Sequence, residues 1–301
     1  MTDLVVRPLE AGEEHLFDTY AQPDVVGFAV FGRTYREFRA KNEYRPEWTW
    51  VALRGDRVVA RAAWWAGPGD TAPLTLDWLD FEDPEAGIAL LNAAPFKAEY
   101  CIALPPGWRD DPVTLAAGQA RIDVAHRVGM KLLVERLRYT WTPADGLPER
   151  PGRLEFRAEP DDEAIVDVLF RIQQGSLDAH KVADLERMSP EEAARDELKE
   201  LYWYPAPREW WQLAYTPAGD LVGITVPSRN YSAPVVGFIG VVPDQRGHGY
   251  AYDLLVECTH LLVAEGVTEI VGETDTTNFP MAANFRKAGY PISQERVYLD
   301  H

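Results

Sequence analysis

Cysteine is scarce: the 301 residues hold only Cys101 and Cys258. Two thiols make no disulfide framework, so an apolar core has to hold the fold. Cys258 falls on an apolar helical stripe and reads as a buried structural thiol. A cytoplasmic, disulfide-free protein without a metal is expected. Positive charge is also short, with 30 Lys and Arg against 48 Asp and Glu and a net charge of -18. A nucleic-acid partner needs a basic face, so none is expected. The acidity suits a cationic amine drawn to an acidic cleft, and surplus carboxylates also serve solubility. No apolar run approaches a membrane span, and Met1-Thr2-Asp3-Leu4 lacks the charged and apolar regions of a signal peptide. Neither membrane association nor secretion is expected. Two nucleotide signatures are missing as well. There is no Gly-Lys-Ser/Thr phosphate loop, and Gly-x-Gly-x-x-Gly fails at Tyr252.

A hydrophobic content of 46% supports a substantial core, and the length is comfortable for two domains. The most informative stretch is Val241-Val242-Pro243-Asp244-Gln245-Arg246-Gly247-His248-Gly249-Tyr250-Ala251. An apolar strand, Val235 to Val242, enters it. A helical pattern leaves it, with Leu254, Leu255, Cys258, Leu261 and Leu262 one turn apart up to Gly266. A glycine-rich turn between a strand and a helix aims unpaired backbone N–H groups at one point, with the helix dipole behind them. That is an anion site, suited to phosphate or pyrophosphate. Gly247 and Gly249 let a ligand approach the backbone, and Arg246 is expected to add positive charge at the mouth.

A second segment follows. Thr268 to Glu273 reads as a strand, and Asp275-Thr276-Thr277-Asn278 as a turn and helix cap. Pro280 sits in the first helical turn, Phe285 lies along the helix, and Gly289 ends it. Tyr290 and a last strand, Gln294 to Leu299, close the chain. Val-x-Pro followed by Gln-Arg-Gly-x-Gly-x-Ala resembles the acetyl-CoA loop of the GNAT N-acetyltransferase superfamily. The segment from Asn278 to Tyr290 resembles that family's second motif at matching spacing. The resemblance covers roughly residues 209–299.

The halves also echo each other. Val6-Arg7-Pro8 and Phe156-Arg157-Ala158 each precede a helical stretch, Glu13 to Tyr20 and Asp162 to Gln174. Glu47-Trp48 and Glu209-Trp210 each lead a strand. Gly129 and Gly289 lie 160 residues apart, as do Glu135-Arg136 and Glu295-Arg296, each pair in a closing strand. The common order argues for a duplication. At the same offset, Arg246-Gly247-His248-Gly249 becomes Ala86-Gly87-Ile88-Ala89, beside Glu82, Asp83 and Glu85. Those acids would repel a pyrophosphate. The expected fold is therefore α/β (α+β), with two GNAT-like domains, each a mixed central sheet flanked by helices. Residues 1–141 form a degenerate copy, 142–152 a linker, and 153–301 the acetyl-CoA-binding domain. Monomer and homodimer both fit.

The resemblance implies an acyltransferase that moves acetyl from acetyl-CoA, its co-substrate, to a primary amine on a small molecule or peptide, by direct attack on the thioester. It places Ile239, Gly240 and Val241 along the pantetheine and Arg246, Gly247, His248, Gly249, Tyr250 and Ala251 around the pyrophosphate. It places Asn278 against the pantetheine arm, with Phe285 nearby. The strand Val235 to Val242 carries no titratable group. Glu273, five residues before Asn278, stands where some GNAT enzymes carry a general base, although a carboxylate there can also simply order the loop. Asp275 is the weaker alternative, since an acid just before a helix is usually a cap. The family's thiolate-protonating tyrosine is replaced by Phe285. Tyr290 holds a position usually taken by a packed aromatic. That loss leaves a second reading open, a CoA-binding sensor or scaffold without turnover. Between residues 176 and 207, Ser189-Pro190-Glu191-Glu192 signals a helix start, and Tyr202 to Tyr204 border the expected acceptor site.

Overall fold

The structure is a computed structural model that describes residues 3–21 and 25–301; Met1 and Thr2, part of the stretch read against a signal peptide, lie outside them. The first half runs β1 (Leu4–Pro8), α1 (Tyr35–Ala40), β2 (Thr49–Arg54), β3 (Arg57–Trp65), β4 (Thr75–Phe81), α2 (Pro84–Ala93), β5 (Glu99–Leu104), α3 (Pro112–Arg127) and β6 (Lys131–Trp141). The second half runs β7 (Glu155–Ala158), α4 (Asp162–Ile172), α5 (Ala179–Arg187), α6 (Pro190–Trp203), β8 (Gln212–Tyr215), β9 (Leu221–Arg229), β10 (Pro234–Val241), α7 (Tyr250–Ala264), β11 (Ile270–Asp275), α8 (Phe279–Lys287) and β12 (Ile292–Asp300). Helix starts follow local chemistry. Asp161, Asp178, Ser189 and Asn278 each accept a first-turn N–H at the heads of α4, α5, α6 and α8.

The chain forms two compact units. One takes the chain up to Glu135 together with Gln294–His301, and the other is Arg136–Ser293. The strand order is β1-β2-β3-β4-β5-β12 in the first and β7-β8-β9-β10-β11-β6 in the second. Each is built the same way: antiparallel through its first four strands, then one parallel pair, β4 with β5 or β10 with β11, then an antiparallel closing strand. This is the shared topology that the internal echoes predict.

The closing strands depart from the linear reading, in which each half closes itself. β12 pairs with β5 from Glu295↔Leu104 to Leu299↔Tyr100. Residues Arg136 to Trp141 of β6 pair with β11, from Asp275↔Arg136 to Ile270↔Trp141. The two copies have exchanged their last strands, so the compact units are not the consecutive stretches 1–141 and 153–301. One cross-strand ion pair favours this exchange. In the second unit β6 sets Arg136 and Arg138 opposite Asp275 and Glu273. At the offset of the repeat, β12 would bring Tyr298 instead of Arg138 and leave Glu273 facing a phenol. Opposite charges directly across a ladder favour the first arrangement.

Each unit has its own core. Trp48, Leu76, Leu90, Trp108 and Val124 fill the first, and Ile165, Leu169, Trp211, Ile224, Leu255 and Cys258 the second. Both cysteines are buried, and neither forms a disulfide. No helix among the described residues is long and apolar enough to cross a membrane. In the second unit Phe285 is 1% exposed and stacks on Tyr139 with ring centroids 4.4 Å apart. Gly272, opposite Tyr139 in register, makes room for that ring, since a Cβ there would meet Phe285 at 2.7 Å. Gly272→Ala is therefore expected to overpack this core and cost roughly 1–3 kcal/mol. Urea unfolding measures the loss; an unchanged midpoint would mean that Phe285 swings aside freely.

Candidate functional site

The strand-to-helix turn is built as the sequence requires. β10 ends at Val241, a short 3-10 turn spans Pro243–Gln245, and α7 starts at Tyr250. Gly247 and Gly249 have φ of +83° and +75°, a region side-chain-bearing residues avoid. Gly249 is the N-cap of α7, and no side chain caps this helix, in contrast to α4, α5, α6 and α8. Among the described residues, the backbone N–H groups of Gly247, His248, Gly249, Tyr250 and Ala251 find no acceptor in the protein. Five donors at the positive end of a fifteen-residue helix make an anion cradle.

Arg246 does not extend into the mouth of this cradle. Its guanidinium donates to the carbonyl oxygens of Ile172 (2.6 Å), Gln174 (2.7 Å), Gly175 and Val241 (both 3.2 Å). It therefore ties the loop to the C-terminal end of α4, where unpaired carbonyls attract a cation. His248 stacks on Tyr250 at 5.5 Å, with Nδ1 3.2 Å from the Gln245 carbonyl oxygen.

Beside the loop, β10 pairs with β9 as far as Val241↔Gly223, with a bulge between Val236 and Phe238. Its parallel register with β11 is at Val235↔Val271. Ile239, Gly240 and Val241 thus have their sheet partner on the β9 side. Alternate residues of such a strand turn N–H and C=O away from that partner, a backbone edge to which an extended ligand can add. Gly240 is required here, because a Cβ would lie 2.6 Å from the Ile172 side chain. Asn278 accepts the Met281 N–H through Oδ1 at 3.2 Å, so it serves as the cap of α8. Phe285 lies in the core below. Tyr290 is buried too, hydrogen-bonded to Thr259 at 2.7 Å, and burial raises its phenol pKa.

The opposite face of β11 is ionic. Glu273 Oε1 accepts from Arg138 at 2.6 Å. Asp275, 1% exposed, accepts from Arg136 Nε at 2.8 Å and from the Ala179 backbone N–H at 2.7 Å. Both Asp275 oxygens are thus engaged, as befits a residue that orders the start of α5. Arg136 also reaches Asp178 at 2.7 Å. Tyr204, just past α6, stands in the field of Glu197, Glu200 and Glu273; burial first, and then these carboxylates, push its phenol up to about 12. Tyr202 donates to Asp162 at 2.7 Å, and Trp203 packs edge-on against both Tyr231 at 5.1 Å and Tyr204 at 5.6 Å.

Lys181 Nζ sits among Glu197 (2.7 Å), Glu200 (3.1 Å) and Asp184 (3.4 Å). Burial pushes the Glu197 carboxyl up to about 7, the Lys181 ammonium opposes the shift, and Glu200 adds to it. The folded chain therefore holds this proton through a range where the unfolded chain, near 4.5, has lost it. Glu197's contribution to stability is complete below pH 4.5 and is lost as pH rises through 7. Melting temperatures across pH 5–8 are expected to fall more steeply for the native chain than for Glu197→Gln. Parallel curves would remove Glu197 from the balance.

The corresponding turn of the first unit is closed by its own residues. Asp83 accepts the Ala86 N–H at 3.0 Å at the head of α2, and Pro84 has no N–H to offer. Beside it, the parallel register of β4 with β5 covers Thr75↔Glu99 and Leu76↔Tyr100. The Gly27 N–H takes the Ala103 carbonyl oxygen at 2.7 Å, so this chain segment lies against β5. The first unit has the topology without the cradle.

Sequence reading did not find Arg136, Arg138 or Arg153. The first two reach the acids of β11 only through the strand exchange, and no local motif signals them. Arg153 lies in a proline- and glycine-rich stretch with no periodic pattern.

Residues 179–290 match the acetyltransferase (GNAT) family. No curated protein matches the chain. Among solved structures, it is similar to a GCN5-related N-acetyltransferase from Sphaerobacter thermophilus, with 14% identity, a TM-score of 0.57, and 99% of this chain and 95% of that one covered. It is also similar to a tandem GNAT protein from the clavulanic acid biosynthesis pathway, with 17% identity, a TM-score of 0.53 and coverage of 99% and 98%. A third likeness is to a glucosamine N-acetyltransferase region of a fungal multi-domain GH3 β-N-acetylglucosaminidase, with 13% identity, a TM-score of 0.59 and coverage of 99% and 38%. At these identities the likeness establishes the fold.

Proposed function

We propose that this chain, a GNAT acetyltransferase by the family match of residues 179–290 and by its tandem fold, transfers acetyl from acetyl-CoA to a primary amine. The observation that carries the reading is the set of five N–H groups, Gly247 to Ala251, without an acceptor at the uncapped head of α7. They fit the pyrophosphate of acetyl-CoA. The open edge of β10 at Ile239, Gly240 and Val241 suits the amide-rich pantetheine arm, against which the family resemblance also puts Asn278. Bound acetyl-CoA supplies an activated thioester, and the protein's own groups bring the amine to it. The net charge of -18 favours approach of an ammonium ion. Glu273, fixed by Arg138, takes its proton directly or through a water. Cytoplasmic action on a small molecule or a peptide amine fits the acidity and the buried thiols.

The second reading, a CoA-binding sensor or scaffold, draws on Phe285 standing where the family carries a tyrosine. Calorimetry with acetyl-CoA is expected to show one site per chain, because among the described residues only the second unit has the cradle. Release of free thiol with a panel of polyamines, aminosugars, amino acids and peptides separates an enzyme from a sensor. Two equivalent sites would refute the assignment of the cradle. Binding without thiol release for any acceptor would favour the sensor.

A further inference from the structure

We infer that Arg153 aims the phosphate cradle and is the positioning residue on which recognition of the cofactor's pyrophosphate depends; this rests on the acetyl-CoA reading above. Arg153 precedes β7 by two residues and lies behind the loop. Its Nη1 donates to the His248 carbonyl oxygen at 3.0 Å and its Nη2 to that of Gly249 at 3.2 Å. Nε donates to Asp253 Oδ1 at 3.1 Å, and Nη2 also meets Asp253 Oδ2. The guanidinium lies over the Tyr250 ring, 5.1 Å from its centroid. One planar group thus holds two consecutive peptide carbonyls, a carboxylate and a ring face.

Peptide geometry turns those contacts into a direction. In a planar trans peptide the N–H points opposite to the C=O. The carbonyls of His248 and Gly249 point at Arg153. The N–H groups of Gly249 and Tyr250, which share those two peptide planes, therefore point away from it. Both belong to the set of five without an acceptor. Glycines at 247 and 249 leave this backbone few intrinsic restraints. The Gly249 carbonyl also accepts the Tyr252 N–H at 3.2 Å in the first turn of α7, whereas the His248 carbonyl depends on the guanidinium. Arg153 supplies that restraint from the side a ligand does not use.

Charge gives the same residue a second task. Asp253 lies in the first turn of α7, and its side chain is 2% exposed. An unpaired carboxylate at that depth, close to the cradle, would repel a phosphate. Arg153 cancels it. A lysine could pair with Asp253, but as a point charge it could not also hold two carbonyls in the fork geometry of a guanidinium.

The test measures affinity for acetyl-CoA and for S-acetyl-pantetheine, which lacks the phosphates. Arg153→Lys is the first variant. Arg153→Met with Asp253→Leu is the second, removing both charges together so that no buried carboxylate is stranded. Both are expected to lose about tenfold or more in acetyl-CoA affinity, the scale of one or two net hydrogen bonds. Their affinity for S-acetyl-pantetheine, read by competition, should stay at the wild-type value. A loss shared equally by the two ligands would mean a general structural role and would overturn the inference. So would acetyl-CoA affinity unchanged in both variants. A wild-type chain that binds no acetyl-CoA would overturn the acetyl-CoA reading and this inference with it.

Discussion

Gly249→Trp is expected to abolish measurable acetyl-CoA binding while leaving the fold in place. Gly249 has φ of +75° and is exposed, and the nearest group to a Cβ there is Arg153 Nη2 at 3.8 Å. The fold can therefore accept a side chain, at about 1–2 kcal/mol for the left-handed backbone of a single residue. The ligand cannot. An indole at the head of α7 covers the N–H groups that a pyrophosphate has to reach, and the expected fall in affinity is at least a hundredfold. Calorimetry supplies the affinity and a thermal melt the control. Arg246 would be a poorer choice of target, because its guanidinium ties the loop to the end of α4, and its loss would perturb the fold together with the site. Affinity within a few-fold of wild type for a folded Gly249→Trp would remove the turn from the site.

Glu273→Gln is expected to lower turnover on the order of a hundredfold, the usual size of a general-base contribution, with acetyl-CoA affinity near wild type. The amide keeps an oxygen that can accept from Arg138, as Oε1 does now, so the strand pairing should survive. What it loses is the capacity to take a proton. The native rate should climb with pH as the acceptor ammonium deprotonates, and that low-pH limb should flatten in the variant. Rates measured from pH 5 to 9 at saturating acetyl-CoA provide the check. Full activity at every pH would remove Glu273 from the chemistry and direct attention to Glu197 and Tyr204. Asp275 would not inherit the role, since both of its oxygens already hold partners in the fold.

Much of this site was legible before folding, because its parts are contiguous. The strand Val235 to Val242, the glycines at 247 and 249, the apolar stripe of α7 and the cap at Asn278 each follow from local rules of periodicity, capping and backbone freedom. What those residues do with their side chains was less accessible. Arg246 is a cation beside an anion cradle in the sequence, yet the nearest strong demand for it is the row of carbonyls at the end of α4. Phe285 reads as a residue near the cofactor and packs instead against Gly272 and Tyr139. Both outcomes depend on partners tens of residues away or more.

The sequence by itself determined the glycine-rich turn from strand to helix, the acidic character, the absence of a disulfide framework and the existence of two copies of one topology. These are properties of short windows or of composition, so no distant contact can change them. Only the tertiary structure decided which copy each closing strand completes. Glu135-Arg136 and Glu295-Arg296 occupy equivalent positions in the repeat, and either strand has the alternation that a sheet edge accepts. One cross-strand pair distinguishes them: Arg138 meets Glu273 more than 130 residues along the chain, where the equivalent residue of β12 is Tyr298. Likewise, only the fold carries Arg153 behind the loop, where a guanidinium a hundred residues from Asp253 meets that carboxylate and the two carbonyls that orient the cradle.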